Sequence, residues 1–222
     1  MPAVPVASAT PHQGLPPAAV IRRYERALES LPTPPYQVFE YSVDQVGWHD
    51  MAQRHRVYRA HGLQRDELMI DGGRAVSPPV VRIRRDVRDH YAVGNVAPLP
   101  AAYVFTFAGV AHVGSHLAYA FKTAPLGSPR AFAATRVVID GVSYLPTSIS
   151  FATRSNRADG AGTMLFAKAG PYCVPTRISV HATVDGKKAT ESITFSMYRF
   201  PRALPPATFK VGGASAVLTP AS

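Results

Sequence analysis

The stretch "GVSYLPTSISFAT" (residues 141–153) is nearly repeated as "GPYCVPTRISVHAT" (residues 170–183). Each copy begins with Gly. Its strand starts with Pro-Thr and continues with Ile, Ser and an apolar residue. Successive side chains of a β-strand point to opposite faces, so Ile149 and Phe151 share one face, as do Ile178 and Val180. The repeated phrase therefore predicts two strands of similar build, and it is not an active-site motif.

Turn signals on both sides of the repeat divide the rest of the chain into strands. In the second half, Asp-Gly or Gly-Pro pairs begin at Asp140, Asp159, Gly170 and Asp185, and alternating apolar residues lie between them. Earlier in the chain, "RHRVYRAHGLQRDELMIDGG" reads as a hairpin, and "AYVFTFAGV" and "SHLAYAFK" read as two apolar strands. The pattern predicts an antiparallel meander of about eleven strands.

One segment has the period of a helix. In "PPAAVIRRYERALESL" (residues 16–31), an apolar stripe lies opposite arginines, and Pro32, Pro34 and Pro35 end the helix; the stripe comprises Ile21, Tyr24, Leu28 and Leu31. The predicted fold class is mainly antiparallel β (α+β), a single large curled sheet packed against this amphipathic helix. One helix cannot cover such a sheet, so either side chains fill the interior or an apolar cavity remains.

The 222 residues fit one domain. Residues 16–211 are predicted to form it, after a disordered leader (1–15) and before a flexible tail (212–222). The leader lacks the basic and apolar regions of a signal peptide and is consistent with the start of a mature chain after cleavage. Residues 91–121 carry no charged side chain, but Pro, Gly and His interrupt them too often for a membrane span, so two buried strands are expected.

The formal charge is +10 and is unevenly placed. Residues 1–100 have 12 Arg against 10 acids, whereas residues 101–222 have 12 Lys or Arg against 4 acids. Such a surplus either forms a solvated basic surface or favours anionic partners, including an anionic membrane surface. No nucleic-acid partner is predicted, because no basic run is interleaved with aromatic residues.

Candidate catalytic groups do not cluster in the sequence. Asp140, Asp159 and Asp185 each precede a glycine, and turn formation explains them, which leaves Glu191 alone in the second half. The acids of the first half lie among arginines and are predicted to form solvent-facing ion pairs: Glu40, Asp44, Asp50, Asp66, Glu67, Asp86 and Asp89. No catalytic residue and no cofactor is predicted.

Histidines and the single cysteine are not expected to bind metal. His112 and His116 would lie about 13 Å apart along one strand, too far to share an ion. His49, His55 and His61 show no metal-site pattern. Cys173 excludes an internal disulfide and is expected to be a buried, inert thiol.

Three further segments carry a family resemblance in a shared order. They are "VYRAHGLQRDELMI" (57–70), "GSHLAYAFKTAPLGSPRAFAATRVVIDGVSYLPTSISF" (114–151) and "ITFSMYRFPRALPPATFKV" (193–211). With the amphipathic helix before them, they resemble the LolA/LolB-like superfamily of outer-membrane lipoprotein-sorting proteins. The resemblance implies an open half-barrel over helices, with an apolar cavity that holds the acyl chains of lipoproteins crossing the periplasm. It implies a periplasmic or otherwise extracytoplasmic location, and a lipid or lipidated protein as partner.

Three functions remain open on the sequence. The first is a non-catalytic binding protein whose apolar cavity takes lipid or acyl chains. The second is an enzyme that uses the same cavity for a hydrophobic small molecule, and the third is a sensor or structural domain whose sheet edge binds protein. The expected cavity wall comprises Phe105, Phe107, Leu117, Tyr119, Phe121, Ile149, Phe151, Ile178, Val180, Ile193, Phe195 and Met197. The sequence does not determine the oligomeric state.

Overall fold

A computed structural model describes residues 14–85, 87, 91–114, 116–127, 131–210 and 216–218. The described residues form two α-helices, twelve strands and a short 3₁₀ helix at Pro206–Phe209. The α-helices and strands are α1 (Pro17–Glu29), β1 (Tyr36–Val46), β2 (Met51–Ala60), β3 (Leu63–Asp71), β4 (Arg74–Arg84), α2 (Val93–Val96), β5 (Tyr103–Val113), β6 (His116–Pro125), β7 (Phe132–Asp140), β8 (Pro146–Arg154), β9 (Ala158–Ala169), β10 (Tyr172–Val184), β11 (Lys187–Arg199) and β12 (Ala216–Leu218).

All twelve described strands belong to one open sheet. Its order is β12-β4-β3-β2-β1-β11-β10-β9-β8-β7-β6-β5, and β1 to β11 are antiparallel to their neighbours. The pairing of β1 with β11 joins the first four strands to the last seven. The predicted open, curled sheet of about eleven antiparallel strands is confirmed, with β12 added in parallel to β4.

The repeated phrase forms β8 and β10, which lie on either side of β9. Ile149 and Ile178 are both buried, and both lie opposite Met164. The Thr of each copy also plays the same part. The Thr147 hydroxyl donates to the Val138 carbonyl (3.3 Å), and the Thr176 hydroxyl donates to the Leu165 carbonyl (3.2 Å). In each copy, the Thr therefore bonds the start of the strand to the preceding strand, and one Ile packs in the core.

A row of buried apolar side chains crosses seven neighbouring strands. Each member lies directly opposite the next in the strand register, and such cross-strand pairs stabilise a sheet. We call this set the core row: Phe121, Val137, Ile149, Met164, Ile178, Ile193 and Val43. At the edge of the sheet, Phe107 on β5 lies opposite Phe121 and extends the row.

Helix α1 covers the face of the sheet that carries the core row. Its buried residues are Val20, Tyr24 and Leu28, and the Tyr24 hydroxyl donates to the Pro98 carbonyl (3.0 Å). Ile21, predicted on the buried stripe, is only partly buried, so the covered face is rotated towards Val20. The single turn α2 adds Val93 and Val96 to the same core.

The chain departs from the predicted pattern near its two ends. Ala216–Leu218, predicted to lie in a flexible tail, form β12 beside Val81–Ile83 of β4. Near the start, the Leu15 amide donates to the Tyr119 hydroxyl (3.0 Å). The remaining residues of the predicted leader and tail, 1–13, 212–215 and 219–222, lie outside the described residues.

The alternation of β11 changes phase at Met197. Its φ is 57°, and the register with β1 shifts at this point because β11 contains one extra residue. Such a bulge redirects the side chains that follow it. Tyr198 consequently stacks on Phe39, 5.3 Å between ring centroids, whereas Met197 is 60% exposed. The expectation that Met197 continues the inner face of Ile193 and Phe195 is therefore wrong.

We predict that Gly162→Ala destabilises the fold. An added Cβ would lie 2.5 Å from the Ser179 carbonyl oxygen and 2.6 Å from Cζ of Phe151. Overpacking of this kind lowers the free energy of unfolding by about 1–3 kcal/mol, which denaturant titration measures. Gly94→Ala is the control, because no atom lies within 4 Å of its added Cβ. Equal unfolding free energies for the two variants would contradict the packing described at Gly162.

Candidate functional site

A large cleft among the described residues lies where four distant segments meet. It has a volume of about 580 Å³, within the usual range for small-molecule sites. We call it the α1-end cleft, because Leu28 and Leu31 at the end of α1 line it. The other lining residues are Pro32–Pro35, Gln37, Arg59, Ala60, His61, Gly62, Leu63, Val87, Ala92–Asn95 and Tyr172–Pro175.

The inner wall of the α1-end cleft is the end of the hydrophobic core. Leu28, Val93 and Val174 are buried core residues that also line the cleft. Leu31 and Leu63 are partly exposed at its sides. An apolar ligand that reached this wall would therefore contact the core directly.

Local sequence explains why the cleft stays open. The prolines at 32, 34 and 35 end α1 and give the chain no amide donors at these positions, so they cannot continue a helix over the opening. His61 and Gly62, with φ of 46° and 79°, make the tight turn between β2 and β3. The Val87 amide donates to the Gly62 carbonyl (2.9 Å), which fixes the segment after β4 against that turn.

Two basic side chains border the α1-end cleft. The Arg59 Nε donates to the Gln64 side-chain oxygen (2.8 Å), and the guanidinium lies 5.1 Å from the centroid of the Phe39 ring. The His61 Nε2 lies 3.2 Å from the Tyr36 hydroxyl oxygen. These contacts hold a positive charge beside an apolar wall, an arrangement that suits an amphiphile with an anionic end.

Cys173 also lines the α1-end cleft. Burial raises the pKa of its thiol to about 11, although the charge of Lys168 acts in the opposite direction. A reactive cysteine needs a lowered pKa, because the thiolate is the nucleophile. Cys173 therefore contributes apolar surface to the cleft and little nucleophile at neutral pH.

A second cleft lies at the opposite end of the strands. Its volume is about 420 Å³, and it is lined by Pro125, Gly127, Ala133, Ala152, Thr153, Arg154, Asp159 and Gly160. The exposed Arg154–Asp159 ion pair (3.0 Å) lies at its border. Its lining is mostly apolar but consists mainly of small residues, and none of them is a buried core residue, so a ligand there would not contact the core as it would in the α1-end cleft.

The inner face of the sheet changes character at β1, β2 and β3, where a polar cluster is buried. His55 Nδ1 lies 2.7 Å from one Asp66 carboxylate oxygen, and the Tyr41 hydroxyl donates to the other (3.1 Å). The rings of Tyr41 and His55 stack 4.6 Å apart. Burial, followed by the Asp66 charge, raises the pKa of Tyr41 far above its usual value. The hydroxyl therefore stays protonated and serves as a donor.

The space beside the polar cluster is too small for a substrate. The void lined by His55, Asp66 and Arg82 has a volume of about 30 Å³, far below the range of small-molecule sites. A His–Asp pair is a common basis for general-base catalysis, but this pair has no room for a reacting group. Its contacts fit a structural role.

Several predicted ion pairs are less exposed than expected. Glu40 is buried and accepts hydrogen bonds from Arg54 and Arg56, so its predicted solvent-facing placement is wrong. Burial alone would raise the pKa of Glu40, but the hydrogen bonds and charges of these arginines lower it. Asp66 faces His55 instead of an arginine partner, and Asp86 and Asp89 lie outside the described residues.

The twelve predicted wall residues form three groups in the structure. Seven are buried in the core: Tyr119, Phe121, Ile149, Phe151, Ile178, Ile193 and Phe195. Phe105, Leu117 and Val180 are partly buried against it, whereas Phe107 and Met197 are exposed. None of the twelve lines either of the two larger clefts. The structure therefore brings ten of them together as packed interior beneath α1.

The histidines near residue 114 do not share a strand. His112 is the last but one residue of β5 and His116 begins β6, and His116 Nδ1 lies 3.7 Å from an Asp140 carboxylate oxygen. Among the described residues, no group of three His, Cys, Asp or Glu side chains could hold a metal ion. No helix in the described part of the chain has the length and apolar character needed to cross a membrane.

Comparison with known proteins places the chain near several solved structures. It matches a DUF1329 family protein from Desulfovibrio piger at 12% identity, covering 87% of this chain and 96% of the other, with a TM-score of 0.46. It matches a LolA superfamily protein from Nitrosomonas europaea at 13% identity, covering 87% and 97%, with a TM-score of 0.41. A domain from Vibrio parahaemolyticus named for outer membrane lipoprotein sorting matches at 10% identity, covering 85% and 95%, with a TM-score of 0.46.

Two other comparisons gave no match. No protein-family model matches the sequence, and no curated protein matches it.

Sequence reasoning missed the residues of the α1-end cleft. Leu28, Leu63 and Val174 come from three segments that only the β1–β11 pairing brings together. One available signal was the proline run at 32–35, which leaves the end of the helix without a following element to cover it. The second copy of the repeated phrase was another, because its entry residues 172–175 line the cleft.

We predict that alkylation of Cys173 keeps accelerating at pH values where ordinary cysteines have reached a plateau. With a pKa of about 11, the thiolate fraction should rise about tenfold per pH unit between pH 8 and pH 10. Iodoacetamide labelling followed by mass spectrometry gives the rate constants. The same chain unfolded in guanidinium is the control and should level off above pH 9. A plateau by pH 9 in the folded protein would contradict the burial effect.

Proposed function

We propose that this protein is a non-catalytic lipid-binding protein that takes an acyl chain of a lipid or lipidated protein in the α1-end cleft. The observation that carries the proposal is a cleft of about 580 Å³ whose inner wall is the end of the core. Sites for apolar ligands are concave, mostly apolar and furnished with few polar groups. The cleft is concave, its inner wall is apolar, and Arg59 and His61 lie at its border.

The energetics of such a site depend on how much of the chain leaves water. Each buried CH₂ group contributes about 0.8 kcal/mol, which corresponds to a factor of about four in the dissociation constant. A ligand held in the cleft by its acyl chain should therefore gain affinity with every added carbon until the cleft is full. In this proposal, the predicted wall residues form the packed interior that lies behind the wall of the cleft.

The surplus of basic residues supports delivery to or from an anionic membrane surface. A formal charge of +10 attracts anionic lipid headgroups and is screened by salt. Transport between membranes and an extracytoplasmic location belong to the same proposal. An enzymatic role gains no support from the α1-end cleft, where Cys173 has a raised pKa.

We predict a chain-length series for ligand binding. Saturated fatty acids of 8 to 16 carbons should bind the protein with dissociation constants that fall about fourfold per CH₂ group, as far as the cleft admits them. Isothermal titration calorimetry below the critical micelle concentrations measures these constants. Absence of binding, or affinity that does not depend on chain length, would contradict the proposal.

We further predict that Leu63→Lys weakens acyl-chain binding by at least about tenfold, because a charged end would enter the apolar cleft. Leu165→Lys is the matched control, since Leu165 is 40% exposed and lies away from the cleft on β9. Thermal unfolding of both variants shows that the fold is kept. Equal loss of binding in both variants would place the ligand elsewhere.

A further inference from the structure

The outer edge of β5 is long, apolar and uncharged. The strand runs over eleven residues, Tyr103–Val113, and in the described part of the chain no strand pairs with its outer side. Natural sheets protect such edges with charged residues, prolines or covering segments. Residues 91–121 contain no Lys, Arg, Asp or Glu, so β5 has no charged protection.

Apolar side chains are exposed on both faces of β5. Val104 (50%), Phe107 (43%), Val110 (49%) and Val113 (44%) are all exposed. Phe107 packs on buried Phe121, with ring centroids 5.5 Å apart, and Val110 lies opposite buried Tyr119. The core row therefore runs to the edge of the sheet and ends there at exposed side chains.

The opposite edge of the sheet is arranged differently. There β12 lies along β4 at Val81–Ile83, and the residues of β4 include Arg74, Arg82 and Arg84. Among the described residues, the β4 edge is thus charged and partly covered, and the β5 edge is neither. This asymmetry points to a partner for β5 that the described part of the chain does not supply.

The charge of the chain identifies that partner. Every Lys, Arg, Asp and Glu lies outside residues 91–121, and the chain carries a formal charge of +10. Two copies with this charge repel each other over most of their surfaces. The repulsion is weakest where the uncharged β5 of one copy meets β5 of the other. An acidic or basic partner would find no complementary charge on this strand, whereas a second copy presents the same Val, Phe, Thr and Ala residues.

We infer that two copies of this chain pair through β5 in an antiparallel, two-fold arrangement. A strand paired with its own copy in this way closes the assembly, because each subunit uses the same patch. About eight to ten backbone hydrogen bonds can form along the strand, since alternate residues exchange two bonds. The bulge between Phe107 and Gly109 divides the strand into two straight parts and increases its twist.

The dimer would join two open sheets into one and extend the core row across the two-fold axis. Phe107 and Val110 of each copy would be covered by the same two residues of the other copy. The α1-end cleft lies on other elements and stays open in this arrangement. The inference therefore does not depend on lipid binding, and it can be tested on the ligand-free protein.

Sedimentation equilibrium and light scattering of the full chain provide the test. We expect a monomer–dimer equilibrium at protein concentrations up to about 200 µM. The double variant Val104→Lys/Val110→Lys should raise the dissociation constant at least about tenfold, because it places like charges along the paired edge. Val142→Lys is the control, because Val142 is 68% exposed in the turn after β7. This variant should dimerise as the wild type does.

Two further measurements identify the interface. Amide hydrogen exchange of residues 103–113 should slow as protein concentration rises, in the wild type and not in the double variant. Dimerisation should also tighten between 0.1 M and 1 M salt, because the Debye length falls from about 10 Å to about 3 Å and screens the repulsion.

Several results would overturn the inference. They are a wild type that stays monomeric at the highest concentration, a dimer that both the double variant and the control leave intact, and open-ended polymers in place of a closed dimer. Weakening of the dimer by salt would also overturn it, because that result places charged contacts in the interface. Thermal unfolding of the double variant shows that its subunit remains folded.

Discussion

The whole structure depends on one row of cross-strand contacts and on the small helix that covers it. The core row passes from Phe121 to Val43 through seven strands, and α1 lies over the same inner face with Val20, Tyr24 and Leu28. A helix of 13 residues is about 20 Å long, whereas a strand of 11 residues extends about 36 Å. The helix is therefore too short to cover the full length of the strands, and the two larger clefts lie at opposite ends of the strands.

The inner face divides the sheet into two parts of different chemistry. From β5 to β11 it is apolar and packed under the helix, whereas at β1, β2 and β3 it carries the buried network of Tyr41, His55 and Asp66. Buried polar groups need fixed partners, so this network constrains the geometry of the first strands. The α1-end cleft opens at one end of the strands, where an apolar core wall lies beside Arg59.

The sequence predicted elements best where local signals act alone. Glycine turns such as His61-Gly62 and Asp185-Gly186, both with positive φ, marked the strand boundaries, and the repeated phrase correctly predicted β8 and β10. The side of the sheet on which Met197 lies was predicted wrongly, because a bulge adds one residue to β11. A pattern of alternating residues does not reveal such an insertion. The α1-end cleft was missed for another reason. Leu28, Leu63 and Val174 become neighbours only through tertiary packing, which no short-range pattern records.

The long-range pairing of β1 with β11 has a consequence for biosynthesis. Strands β5 to β11 follow one another and pair with their neighbours in sequence. Each can therefore pair with the preceding strand as soon as the ribosome releases it. Strand β1 pairs through Val38 with Arg199 and must wait until β11 has been synthesised. Closing so long a loop is entropically unfavourable and slow. The hairpins made first during translation are therefore the last to join the finished sheet.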